Sequence, residues 1–289
     1  MAEFDLVPYL RERRRWVNEA LEQFLPPETE RPAELIRAVR YSVLSEGKRL
    51  RPILCMAACE AVGGKPKKAL GFGCVLEYIH AYSLIHDDLP AMDNDDFRRG
   101  RPTCHKVFGE ALAILAGDAL NSEAFSLIVR LARAVKLRPA LALRVVEELA
   151  LAIGFDGVVA GQVEDMAKKN RPCTPEELDY IHRHKTAALI RASVRIGAIA
   201  ANAKTPDLER LSRYGEAVGL AFQIVDDLLD EGQSDKERET ATYVSVHGRR
   251  AALDRANQLR DEALAAIKSL GKKADPLRRI AHYIVEREI

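Results

Sequence analysis

Residues 72–96 read FGCVLEYIHAYSLIHDDLPAMDNDD. Val75, Leu76, Ile79 and Tyr82 recur at the spacing of one helical face. On that mostly apolar rod His80, Ser83 and Asp87 fall at i, i+3 and i+7, a single narrow polar stripe. Pro90 cannot continue the helix, so the last turn must end or bulge there, and Asp93 is free to fold back towards Asp87. Five carboxylates crowd between positions 87 and 96. Like charges this close repel, and a buried carboxylate without a partner is costly to desolvate, so a cation is expected among them.

Working outward, the same period returns in Val17, Leu21, Phe24 and Leu25, in Leu35, Ala38 and Val39, and in Val218, Ala221, Ile224, Val225 and Leu228. No comparable period-two run occurs. Breaks at 26–32, 63–68, 93–102, 168–177, 204–207, 231–239 and 270–275 read as helix connections. Thr174-Pro175-Glu176-Glu177 is the clearest start signal, a capping box with Pro at the first helical position. No break is long or Gly/Ser-rich enough to be a domain linker. The expectation is an all-α, single-domain bundle of about ten or more helices over residues 1–289.

The chain has 289 residues, 47% of them hydrophobic, which is ample for a large core. Its 44 Lys and Arg against 43 Asp and Glu give a net charge of +1, so no global field favours nucleic acid. No apolar run approaches the roughly 18 residues of a membrane span, and the first residues mix acids and bases instead of building a signal-peptide core. These features predict a soluble, cytoplasmic protein with no nucleic-acid or membrane partner. Five cysteines without a CxxC pair read as reduced packing residues.

A second acidic stripe lies in GLAFQIVDDLLDEG, where Gln223, Asp226, Asp227 and Asp230 fall at i, i+3, i+4 and i+7. Two such stripes would be costly if each faced the core alone. Facing each other across water, they form a cage for hard divalent cations. Oxygen donors suit Mg2+, which completes its shell with waters and substrate phosphate oxygens, and no His or Cys cluster argues for zinc. Cations for the remaining phosphate charge are at hand: Lys48 and Arg51 in GKRLRP, Arg98 and Arg99 in FRRGRP, and Lys185 beside Thr186 in IHRHKTAALI. The nucleotide-binding glycine loops are absent.

These motifs, with GDAL, GQVEDM, ATYVSVHG and YIVERE, make the chain resemble the short-chain trans-isoprenyl diphosphate synthases of the bacterial farnesyl type, with geranylgeranyl synthases as close relatives. The resemblance implies an all-α fold around a deep central cavity, a homodimer, and Mg2+-dependent 1'-4 condensation of isopentenyl diphosphate with allylic diphosphates. By motif, Lys48, Arg51, His80 and Arg99 would bind isopentenyl diphosphate. Arg98, Lys185, Thr186 and Gln223 would hold the allylic diphosphate. Asp87, Asp93, Asp226 and Asp230 would bind three Mg2+, so that Asp87, Asp226 and Lys185 carry the catalysis. No Ser, Cys or His nucleophile is needed.

Product length turns on Tyr82 and Ser83. Tyr82 lies five residues before Asp87, about 7.5 Å along the helix, and a phenol at that place in the family resembles enzymes that stop at farnesyl diphosphate. One departure from the family stands out. Asp230 is followed by EGQSDKERETATYVS, a shortened loop in which Thr240 replaces an expected Lys, with Lys236 and Arg238 the nearest substitutes. A terpene cyclase would need a second motif of different spacing, and a non-catalytic partner subunit would be expected to lose an Asp; the chain shows neither.

Overall fold

The computed structural model describes residues 4–230 and 241–286. Helices dominate, and the expected short loop at 231–240 lies outside the described residues. Helix α1 (Leu6–Phe24) starts at Asp5, whose side chain accepts from Val7 N at 3.1 Å, and buries Val17 and Leu21. After the Pro-rich break come α2 (Ala33–Val43), α3 (Leu50–Ala61) and α4 (Pro66–Asp87), the last ending where the acidic run begins. A small antiparallel hairpin, β1 (Phe97–Arg98) and β2 (Arg101–Pro102), turns through Arg99 and Gly100, both at positive φ. It is followed by α5 (Cys104–Phe108), α6 (Glu110–Ala134), α7 (Pro139–Ile153) and α8 (Val158–Ala167).

Helix α9 (Pro175–Ile181) carries the expected capping box, Glu177 N to Thr174 Oγ1 at 3.3 Å and Thr174 N to Glu177 Oε2 at 2.9 Å. A π-helical turn, His182–Ala187, joins it to α10 (Ala188–Ala200). Then follow α11 (Thr205–Leu229), α12 (Tyr243–His247), α13 (Arg249–Ala266) and α14 (Asp275–Glu286). The sequence reading had not separated α6 from α7 at 135–138, nor α7 from α8 at 154–157.

One apolar cluster takes residues from α1 through α14. At its centre α3 and α10 press together at Gly197, where an added Cβ would stand 1.9 Å from the Cys55 carbonyl oxygen. Both α4 and α11 pack on α10, so their acidic C-terminal ends reach the same end of the bundle. Helix α6 is long and apolar enough by composition to cross a membrane, which the sequence reading did not flag. It packs against α2, α4, α5 and α7, with 39% of its apolar window buried. Cys55, Cys59, Cys74 and Cys104 are buried and unbridged, as expected of packing residues.

Candidate active site

At the end of α4 the chain turns back on itself: Asp93 N donates to the Asp87 carbonyl at 2.8 Å, and Asn94 at positive φ completes the reversal. Pro90 sits in the turn between, so the expected convergence of Asp87 and Asp93 is realised. Asp93 meets Lys169 at 2.9 Å, and Lys169 also donates to the Met92 carbonyl at 2.8 Å. Asp88, buried, takes Arg98 Nε at 2.6 Å, while Arg98 Nη2 reaches Asp95 at 3.2 Å. Asp96 pairs with Lys106 at 2.7 Å. Burial pushes the Asp87 carboxyl up to about 6, against the opposing pull of the Lys185 ammonium.

Lys185 is delivered from the other side. Its Nζ lies 2.5 Å from Asp165 on α8, and the π turn that carries it rests on Gly161, where a Cβ would stand 2.1 Å from Lys185 N. Such bulges, with one residue too many per turn, re-aim side chains and recur at functional sites. Thr186, next in the same turn, donates its hydroxyl to Gln223 Oε1 at 2.7 Å, and Gln223 Nε2 donates to Asp227 Oδ1 at 2.9 Å. Asp227 Oδ2 accepts from Tyr243 N at 2.7 Å and lies 3.5 Å from His182 Nε2. Asp227 is thus buried among donors, while Asp226 is half-buried and Asp230, at the helix end, is exposed.

The third side is the α2–α3 connection. Arg49, buried and at positive φ, binds Glu77 at 2.6 Å, Asn18 at 2.9 Å and the Ser45 carbonyl at 2.6 Å. It fixes the loop from which Lys48 projects, exposed, and Arg51 points inward. The Arg51 guanidinium feels both Glu77 and Asp226, its Nε is buried without a hydrogen-bond partner, and burial lowers its pKa. Arg99 donates to the Glu46 carbonyl at 2.7 Å and sits 3.5 Å from His80 Nε2. Burial, then Arg51 and Arg99, hold His80 well below its ordinary pKa, hence neutral.

Tyr82 stands half-buried between α4 and α6, its ring edge-on to His86 at 5.1 Å, and Ser83 donates to the His80 carbonyl at 3.0 Å. His86 in turn reaches the Ile114 carbonyl at 3.0 Å.

Among the described residues, Arg51, His80, Asp87, Asp93, Arg98, Arg99, Lys185, Thr186, Gln223 and Asp226 gather at this end of the bundle, while Lys236, Arg238 and Thr240 lie outside the described residues. Reasoning from the sequence missed Arg49, Asp165, Lys169 and the π turn. GQVEDMAKK held a signal for one of them, since Gln162 and Asp165 are neighbours at i, i+3 on α8; Lys169 lies in the turn that follows the helix. Among the described residues no three His, Cys, Asp or Glu side chains enclose an ion by themselves. Two partial, oxygen-only donor sets on α4 and α11 fit Mg2+, which takes its remaining ligands from water and phosphate.

The polyprenyl synthetase family model matches residues 32–242. A geranylgeranyl diphosphate synthase of Cyanophora paradoxa is 44% identical, covering 98% of this chain and 97% of that one. The heterodimeric geranylgeranyl pyrophosphate synthase large subunit 1 of Arabidopsis thaliana is 42% identical over 99% of this chain and 80% of its own length. Among solved structures, an FPP/GFPP synthase of Zymomonas mobilis superposes with a TM-score of 0.89 at 38% identity, covering 97% of this chain and 98% of that one. The chain belongs to the polyprenyl synthetase family, as a short-chain prenyl diphosphate synthase.

Proposed function

We propose that the chain joins isopentenyl diphosphate to dimethylallyl and geranyl diphosphates through a 1'-4 bond and stops at farnesyl diphosphate. The observation that carries the reaction class is the meeting of two carboxylate-bearing helix ends with Lys185, Arg98 and Arg51 at one end of the bundle. Asp87, Asp93, Asp226 and Asp230 would hold Mg2+, three ions by family resemblance, and these would stabilise the pyrophosphate as it leaves.

The chain's own cations act on the same charge. Lys185 and the free Nη1 edge of Arg98 would face the allylic diphosphate; preorganised charge in a water-poor site needs no reorganisation as the bond breaks. Because the Thr186 hydroxyl hydrogen is given to Gln223, the Thr186 oxygen presents lone pairs to the allylic cation. Lys48, Arg51, Arg99 and neutral His80 would seat isopentenyl diphosphate, whose double bond attacks the cation. One proton is then lost, with the departing pyrophosphate as its acceptor.

The fifteen-carbon limit rests on Tyr82, a half-buried phenol on α4, edge-on to His86 and five residues before Asp87. A second reading, geranylgeranyl diphosphate, is favoured by the names of the relatives, most of which are called geranylgeranyl synthases. Chromatography of the products of the wild-type chain and of Tyr82→Ala separates them. A wild-type C15 product that lengthens in the variant supports the first reading; a wild-type C20 product rejects it.

A homodimer is part of the same reading. Leu115, Leu143, Leu151, Phe155 and Val163 expose apolar surface on α6, α7, the α7–α8 connection and α8, which pack side by side. Light scattering at micromolar concentration should return twice the chain mass.

A further inference from the structure

The end of the bundle opposite the acidic site is built from four helix connections. Residues 62–69, 132–140, 199–206 and 266–274 contain three, three, one and three Lys or Arg and no Asp or Glu. The fold brings them together. Gly64 abuts Ala201, where an added Cβ would lie 2.7 Å from the alanine Cβ, and the Cβ position of Gly63 is 3.8 Å from Lys273 Nζ. Arg138 Nη2 donates to Asn202 Oδ1 at 2.6 Å. All four segments therefore form one surface.

Among the described residues, three of the acids that border it are paired with arginines outside it: Glu60 is taken by Arg13 and Tyr9, Asp207 by Arg210 and Asp275 by Arg278. Lys65, Lys67, Lys136, Arg138, Lys204 and Lys273 are exposed. At its margin the half-buried Trp16 ring lies between Arg13 at 4.1 Å and Lys67 at 5.1 Å. Helix α4 runs from this surface to Asp87, 22 residues or about 33 Å at 1.5 Å per residue. A net charge of +1 thus conceals a molecule with a basic pole and an acidic mouth.

We propose that this basic pole docks on an anionic lipid bilayer. The cations sit on long, mobile side chains at the tips of four connections, spread over an end face. They stand on four separate connections, and the Trp16 ring beside them already has Arg13 and Lys67 over it, so it offers no open face for a base to stack on. A half-buried Trp16 beside the exposed Lys67 suits the headgroup region. The preference for lipid rests also on the family's product, a diphosphate with a prenyl tail, which partitions to membranes; docking by this pole leaves the mouth facing water, where the substrates are.

The test is co-sedimentation of the full chain with vesicles of phosphatidylcholine alone or mixed with phosphatidylglycerol. Binding should require phosphatidylglycerol and fade at about 0.5 M salt, where charge is screened within a few ångströms. Each basic side chain near the surface adds about fivefold to partitioning. Lys65→Glu/Lys67→Glu/Lys68→Glu should therefore weaken binding by at least about 100-fold and Lys268→Glu/Lys273→Glu by at least about tenfold. Prenyl transfer in lipid-free buffer should stay at the wild-type rate, which also shows that both variants fold. Equal binding to neutral vesicles, or binding indifferent to both charge reversals, overturns the proposal. So does absence of vesicle binding in a chain retained by heparin, which would give the pole to a soluble polyanion. Vesicle binding is read without turnover, so its failure is separate from failure of the proposed reaction.

Discussion

At the end of α4 the carboxylates are already matched to cations of the same chain: Asp88 with Arg98, Asp93 with Lys169, and Asp87 within the field of Lys185. At the end of α11 the corresponding group, Asp227, meets neutral donors. Asp227 receives the Gln223 amide and the Tyr243 N–H, with His182 close by, and the His182 pKa is lowered to about 4 by burial. The difference assigns different work to similar letters. The first motif is an electrostatic assembly of carboxylates and cations, whose balance would shift on the proposed reading when an ion and a diphosphate bind. In the second, the middle Asp is committed to structure, and on the proposed reading Asp226, half-buried, and Asp230, exposed, are the metal ligands.

The sharpest way to break that comparison is to remove one carboxylate from each helix end. Asp87→Asn and Asp226→Asn should each lower kcat by about 10³, the scale of losing a preorganised stabiliser of developing charge, and each should raise the Mg2+ concentration for half-maximal rate. Steady-state assays across a Mg2+ titration check both. If either variant keeps its rate, that motif is not a metal site.

Asp227→Asn is the next test, with a smaller effect. An amide cannot accept from Gln223, Tyr243 and His182 together, so the Thr186–Gln223 pair loses its fixed orientation at a cost of about 1–2 kcal/mol. The expected result is a fall of about tenfold in kcat with the Mg2+ half-saturation point unchanged. Combination with Thr186→Val should cost little more than either change alone, since the two act through one hydrogen-bonded unit. A Mg2+ requirement that shifts as far as in Asp226→Asn would make Asp227 a ligand and remove the contrast between the motifs.

How much of this was legible beforehand follows from the range of each signal. The helices were readable because their apolar period is strong, and the return of Asp93 to Asp87 because a Pro must end a helix. The α6–α7 break was hidden: KLRP offers no Gly, and the apolar pattern continues on both sides. The π turn at 182–187 leaves no mark in periodicity, because one extra residue in a turn is set by packing of Gly161 on the Lys185 backbone, a contact between distant segments. Lys169 and Asp165 were missed for the same reason, their partners being 76 and 20 residues away. Net charge said least, because averaging over the chain hides local clusters of either sign.

The smallest effect concerns the cost of keeping Asp87 ready. Its carboxyl has an ordinary pKa of 3.8 and is raised to about 6 in the fold, chiefly by burial. Between those values the folded state holds a proton that the unfolded chain has lost. Stability from this group is therefore present below about pH 4 and is lost as pH rises through 6. Near neutrality the ion-free protein carries an unfavourable charge there, worth about 2 kcal/mol after allowance for partial solvent access. Asp87→Asn removes the charge and should raise the ion-free Tm by several degrees at pH 8, an advantage that shrinks as pH falls to 5. The same proton must leave before an ion binds, so apparent Mg2+ affinity of the wild type should weaken by up to tenfold per pH unit below 6. Calorimetry of both chains in EDTA across this range decides the matter: a stability difference that does not change with pH would mean that Asp87 is ionised throughout, held by Lys185, and that the first motif is as settled before ligand arrives as the second.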